Sequence, residues 1–282
     1  MEYNVDETQR APALGRSSQG DVCYWTDDRL RTRGVTLAFS ERTGGVSLPP
    51  YASLNLAAHV GDDPVSVDEN RRCFLDALGL GHLAHRLVTA EQVHGEQIRI
   101  VRAADAGSGA RAASGAEPIA ATDALITDEP DLPLMLLFAD CVPVILVAPG
   151  PVVAVVHAGW RGALAGLPGI TASRLAEEAG CDTASINAYV GAHIGACHYE
   201  VGYEILSQFV NRFGTVARAE SGGLDLGAVV TRNLTDAGVP SCSIALLGVC
   251  TADQTDRFFS YRAEDGLTGR HSAVACIGPS LR

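Results

Sequence analysis

Short, almost wholly apolar runs alternate along the chain with segments whose apolar residues recur every three or four positions, so strands and helices are predicted in interleaved order. Strands are predicted over 35–40, 97–102, 124–127, 134–138, 142–148, 152–156, 187–190, 243–247 and 273–276. A helix is predicted in DDPVSVDENRRCFLDALGLG, with Asp63 as N-cap, Pro64 at the first helical position, Phe74, Leu75 and Leu78 on one face and Gly79 past the end. Further helices are predicted over 170–179, 201–213 and 226–237, the last closed by Gly238. The expected fold class is mixed α/β with internally packed sheets.

Three regions lack either period. Residues 1–22 are polar and mixed in charge, and read as a flexible leader before one domain over 23–282. The stretch ERTGGVSLPPY, with Gly-Gly and Pro-Pro pairs, reads as an irregular ordered loop. Between 103 and 121, Gly107, Gly109 and Ala112 imitate a dinucleotide fingerprint, but no helical stripe follows and Pro118 interrupts the segment. It reads as a surface loop.

Composition narrows the picture. With 282 residues, 47% of them hydrophobic, the chain can bury a sizeable core without staples. It has neither a long uncharged apolar run nor the basic and apolar start of a signal peptide, so a cytoplasmic location and no membrane partner are expected. A net charge of −12 argues against nucleic acid as a partner. All 21 basic residues are arginine, which excludes P-loop, Schiff-base and Ser-Lys chemistry. The 8 cysteines are scattered without a CxxC pair and read as reduced thiols.

Candidate chemistry gathers in three stretches that set a metal-capable side chain at a strand end or turn among small residues: EQVHG with His94, LLFADCVPV with Asp140 and Cys141, and VVHAGWRG with His157. Two imidazoles and one thiolate suit a tetrahedral zinc whose fourth position stays open. Taken singly, each reads first as a hydrogen-bonded core histidine or a small apolar cysteine, and spacing alone does not overturn that reading.

The stretches ERTGGVS, SLNLAAHVGDDPVSVDENRR, EQVHG, TDALITDEPDLPLMLLFADCVPVILVAP, VVAVVHAGWRG, GAHIGACHYEVG and RFFSYRAEDGLTGRHSAVACI, in this order, resemble the YfiH family, also called the laccase-domain or polyphenol-oxidase-like family. The resemblance implies a single domain with α-β-β-α layering and mixed sheets, and a zinc held by His94, Cys141 and His157. It also implies phosphorolysis of adenosine, inosine or methylthioadenosine, with deamination of adenosine, so a purine nucleoside and phosphate are the expected partners. A relative of the family acts as a peptidoglycan editing factor, which leaves an amidase on a UDP-linked cell-wall precursor as an alternative. Copper oxidase chemistry is a weaker alternative, because only Met1 and Met135 could supply a blue-copper axial ligand. A Cys141–His157 thiol hydrolase and a non-enzymatic module with His193 as a fourth zinc ligand complete the alternatives.

On that reading, Asp140 and Glu91 are the candidate proton carriers beside Cys141. Without lysine, the phosphate falls to Arg42, Arg71, Arg161 and Arg270. His193 and Cys197 lie where GAHIGACHYEVG departs from the family's frequent GPCIGPCCYEVG, just before a predicted helix, and are candidate anion contacts together with His198. Trp160, Tyr199, Phe258, Phe259 and Tyr261 are the aromatics that could stack on a base. The sequence gives no oligomeric state.

Overall fold

In the strands, odd and even residues face different layers, and both layers are apolar. The computed structural model describes residues 11–115 and 117–278. Its first sheet runs β1 (Gly15–Gln19), β2 (Val22–Thr26), β3 (Val35–Ser40), β11 (His271–Ile277), β6 (Leu134–Phe138), antiparallel throughout. The second runs β10 (Ile244–Leu246), β9 (Asn187–Val190), β7 (Val142–Ala148), β8 (Val152–Ala158), β5 (Ala124–Thr127), β4 (Ile98–Ile100). Here the β10–β9 and β4–β5 pairs are parallel and the others antiparallel, so this sheet is mixed.

Leu37, Phe39, Leu134, Leu136, Ala273 and Ala275 of the first sheet meet Leu125, Ile145, Val153, Val155 and Tyr189 of the second in one buried layer. The alternate residues Ala38, Met135, Leu137, Val274 and Cys276 pack under α1 (Pro64–Ala77). On the far side, Ala124, Ile126, Val144, Leu146, Ala154 and Val156 pack under α3 (Leu167–Ala179) and α5 (Leu226–Asp236), with α2 (Trp160–Ala165) and α4 (Tyr203–Phe213) beside them. The layering is helix, sheet, sheet, helix, as the resemblance implied.

Asp63 caps α1 by accepting from the amides of Val65 and Ser66, with Pro64 at the first position. Other boundaries move. Strand β4 is shorter than the expected 97–102, β8 continues to Ala158 and takes His157 into the sheet, and α2 was not foreseen. The expected leader is also corrected, since residues 15–19 and 22 belong to β1 and β2. β1 is a largely exposed edge strand, so its sequence GRSSQ carries no alternation to read. The part of that expectation on residues 1–10 lies outside the described residues. The loop imitating a nucleotide fingerprint is irregular, and its Gly109 and Ala110 carbonyls bind Arg71.

One ion cluster ties the edge of the first sheet. The fully buried Glu41 accepts two hydrogen bonds from Arg16 at 2.8 Å and one from the Trp25 indole at 3.0 Å, and it pairs with Arg257. Burial works against its charge, but the two guanidiniums outweigh burial and bring the carboxyl down from 4.5 to about 2. A depressed carboxylate stabilises the fold above its unfolded value and stops doing so as pH falls through the folded one. Glu41→Gln is therefore expected to cost ~1–3 kcal/mol near neutral pH, with the gap from wild type closing between pH 4.5 and about 2. Thermal melts of both proteins across that range check this; a gap independent of pH would refute it.

Candidate active site and metal centre

Three neighbouring strands deliver the site at one end of the second sheet. On β8, Val153 and Val155 face the inter-sheet layer, and His157 continues that face at the strand's end, its ring 5.4 Å from that of Phe138. Between β6 and β7 the chain changes sheets in three residues, Ala139 to Cys141, which puts Cys141 at the seam. That corner needs Asp140 at a φ of 87°. Its carboxylate holds the turn by accepting from Thr251 Oγ1 at 2.6 Å, Ser260 Oγ at 2.7 Å and the Arg262 amide at 2.6 Å.

His94 comes from the loop before β4 with a φ of 57°. The buried Asp123, just ahead of β5, fixes it. The Asp123 carboxylate accepts from the amides of Val93, His94 and Gly95 at 3.2, 3.0 and 2.7 Å, and also from His157 Nδ1 at 2.8 Å. One carboxylate thus orients two histidines and leaves the Nε2 lone pair of His157 directed at the Cys141 side, where a metal can take it. Gly159 closes over the His94 ring, where a Cβ would lie 2.6 Å from Cδ2.

The donor atoms of His94, Cys141 and His157 all lie within 4.8 Å of one another, and Cys141 Sγ is 3.6 Å from His94 Nε2. Tetrahedral zinc with bonds of about 2.0 Å to nitrogen and 2.3 Å to sulfur requires donors about 3.5 Å apart, so these residues fit it. Burial opposes ionisation of Cys141, but the charge on His157 and hydrogen bonds with both imidazoles outweigh it, and the thiol falls below its ordinary range. His157 moves upward: burial opposes its charge, and the neighbouring thiolate and Asp123 outweigh burial. A thiolate is thus ready as a ligand. Met135 faces away, in the layer under α1, so it supplies no axial copper ligand here.

The centre opens on a cavity of about 500 Å³. Arg161, Arg262 and Arg270 give it positive charge, His59 lines it as a histidine whose charge burial and the neighbouring arginines disfavour, and Trp160, Tyr199 and Tyr261 line it with rings. Arg161 lies over the Trp160 ring at 4.3 Å, and among the described residues its guanidinium meets no acceptor. Arg262 Nη1 donates to the His198 and Glu200 carbonyls, and Arg270 Nη1 to those of Thr268 and Gly269. Among the described residues, Asp140 is the only carboxylate lining the cavity.

Several expected residues stand elsewhere. Glu91 is exposed and accepts from the Ala121 amide, outside the cavity lining. Asp140 is present, but its three donors make it an anchor for the turn rather than a proton carrier. Arg42 is spent on Glu264 and on the carbonyls of Ala52 and Thr255, above the Phe259 ring. Arg71 is buried under the carbonyls of Leu56 and Gly109. His193 donates to or accepts from nothing in the cavity: Nδ1 meets the Gly191 carbonyl, and a Cβ on Gly227 would lie 2.5 Å from Nε2. It is not a fourth ligand of this centre. Cys197 is exposed and outside the lining, and Phe258 and Phe259 are core. Sequence reasoning missed Asp123, Arg262 and His59. Asp123 precedes the apolar run ALIT and reads there as any turn aspartate.

Residues 36–278 match the family described as multi-copper polyphenol oxidoreductase laccase. The chain belongs to this family, the YfiH family. A Streptomyces coelicolor protein named purine nucleoside phosphorylase is 40% identical over 247 residues, which cover 86% of this chain and 95% of that protein. Another so named, from Corynebacterium glutamicum, is 38% identical over 251 residues, with 88% and 96% covered. The crystal structure of YlmD from Geobacillus stearothermophilus superposes with a TM-score of 0.83 at 33% identity, covering 91% of this chain and 96% of that one. The shared fold spans nearly the whole of both chains. Among the described residues no helix is long and apolar enough to cross a membrane.

Proposed function

We propose that the protein is a zinc-dependent purine nucleoside phosphorylase acting on adenosine, inosine or methylthioadenosine in the cytoplasm. The observation that supports this best is one cavity combining the His94, Cys141, His157 donor set with arginines and aromatic rings. The names of the relatives point the same way. Zinc bound by those three residues would supply a Lewis acid with one coordination position open to the cavity. Arg161, which meets no acceptor among the described residues, receives the phosphate dianion, and Arg262 and Arg270 add their charge. Tyr199, Tyr261 and Trp160 stack on or flank the purine and keep water from the reacting carbon. A phosphate oxygen bonds to C1′ while the C–N bond to the base breaks, through an electron-deficient, oxocarbenium-like sugar, and the proton the leaving base takes up balances the one that hydrogen phosphate loses.

Adenosine deamination is a second reading, favoured by an open three-donor site of the kind zinc hydrolases use. Against it, the one carboxylate that the described residues place in the cavity lining, Asp140, already accepts from three donors. Free hypoxanthine from inosine, appearing only when phosphate is added, tests phosphorolysis. Ammonia from adenosine in the absence of phosphate marks deamination, and base release indifferent to phosphate would end the main proposal. Arg161→Ala is expected to raise KM for phosphate about 10- to 100-fold, the worth of a charged hydrogen bond of ~1.5–3 kcal/mol, with KM for the nucleoside unchanged. Initial rates over a phosphate series check this.

A further inference from the structure

The stretch GAHIGACHYEVG sends Tyr199 to the cavity, and it also contributes to a second cluster. Cys197, His198, Cys250 and Asp253 bring two sulfurs, an imidazole nitrogen and a carboxylate oxygen within 4.8 Å of one another. The separations are 4.0 Å for Cys197 Sγ to Cys250 Sγ, 3.2 Å for Cys197 Sγ to His198 Nδ1 and 3.8 Å for Cys250 Sγ to His198 Nδ1. Asp253 Oδ2 is 3.6 Å from Cys197 Sγ, and its Oδ1 is 3.5 Å from His198 Nδ1. Around tetrahedral zinc, donor pairs lie about 3.3 to 3.8 Å apart, from bonds of about 2.0 to 2.3 Å. Five separations of 3.2 to 4.0 Å thus lie close to those edges before any ion enters.

The backbone holds it there. His193 N–H donates to the Val249 carbonyl at 3.2 Å and Thr251 N–H to the His193 carbonyl at 3.0 Å, fixing the loop after β9 against the loop after β10. Gly195 N–H donates to Cys250 Sγ at 3.1 Å, the kind of contact that supports a thiolate ligand. None of the four residues lines the catalytic cavity.

We propose that Cys197, His198, Cys250 and Asp253 form a second zinc site, closed by four protein donors and therefore structural. Zinc displaces the two thiol protons to solvent on binding. It clips together two loops that both reach the active centre: Tyr199, next to His198, lines the cavity, and Thr251, next to Cys250, holds Asp140 in the turn that presents Cys141.

The test uses the full chain, stripped with a chelator under reducing conditions and reloaded with zinc alone. The wild type is expected to retain about two zinc ions per chain and the Cys197→Ser/Cys250→Ser double variant about one. In Cys141→Ser, cobalt in place of zinc is expected to give a tetrahedral spectrum with a two-thiolate charge-transfer band. The exposed single variants His198→Ala and Asp253→Asn are expected to keep the wild-type circular dichroism and lose at least about tenfold in affinity for the second zinc; they decide the matter if the double variant does not fold. One zinc per wild-type chain, two in the double variant, unchanged affinity in the single variants, or a Cys197–Cys250 disulfide in anaerobically purified protein would each overturn the proposal.

Discussion

His94→Ala is expected to remove phosphorolysis to below about one hundredth of wild type, a larger loss than removal of a residue that merely orients a ligand causes. The melting temperature should stay within about 2 °C of wild type. The two expectations have separate causes. The His94 imidazole supplies one of three donors and is only partly buried, whereas the His94 backbone is held by the Asp123 carboxylate through an amide that alanine retains. Alanine does accept the left-handed φ of 57° less readily than histidine, and that strain contributes to the small loss allowed. Zinc content and kcat/KM for inosine, set beside a melting curve, check both. Collapse of the fold would make the centre a staple; retained activity would remove it from the chemistry.

The layering was legible because both sheets are buried on both faces. Runs such as VPVILVA and VVAVVHA are apolar at every position, the mark of strands covered on each side. Asp63, Pro64 and Gly79 punctuated α1 just as clearly. What escaped was the periphery. The exposed edge strand β1 has no buried face to alternate, and α2 spans only 6 residues directly after β8, too short for a helical stripe.

The metal donors were legible as three small-residue corners, but their convergence was not. It depends on β8 lying antiparallel between β5 and β7, so that the starts of two and the end of the third meet at one end of the sheet, where Asp123 ahead of β5 holds the His94 loop. The arginines show the opposite difficulty. Arg42 and Arg161 look alike in sequence, both beside glycines, yet one is absorbed by a carboxylate and carbonyls and the other is left facing the cavity. Long-range partners such as Thr255 and Glu264 decide this, and no local pattern around Arg42 announces them.

Asp123→Asn tests the least legible element of the site. The substitution keeps the volume but removes the charge and turns one of two acceptor atoms into a donor. Four donors now meet the Asp123 carboxylate, namely three amides and His157 Nδ1, and an amide side chain cannot accept from all of them. Leaving a buried donor unpaired costs ~1–3 kcal/mol, and a drop of that size in unfolding free energy is expected. The functional loss has another origin. With the acceptor opposite Nδ1 weakened, His157 can carry its proton on Nε2, the atom whose lone pair is needed for the zinc shared with Cys141 and His94. Zinc affinity and kcat/KM are each expected to fall about 10- to 100-fold. Competition with a chromophoric chelator gives the first, and steady-state phosphorolysis at saturating zinc the second. If the variant melts earlier but binds zinc as tightly as wild type, Asp123 only holds the loop; if affinity falls while the melt is nearly unchanged, its main task is to set the histidine's tautomer.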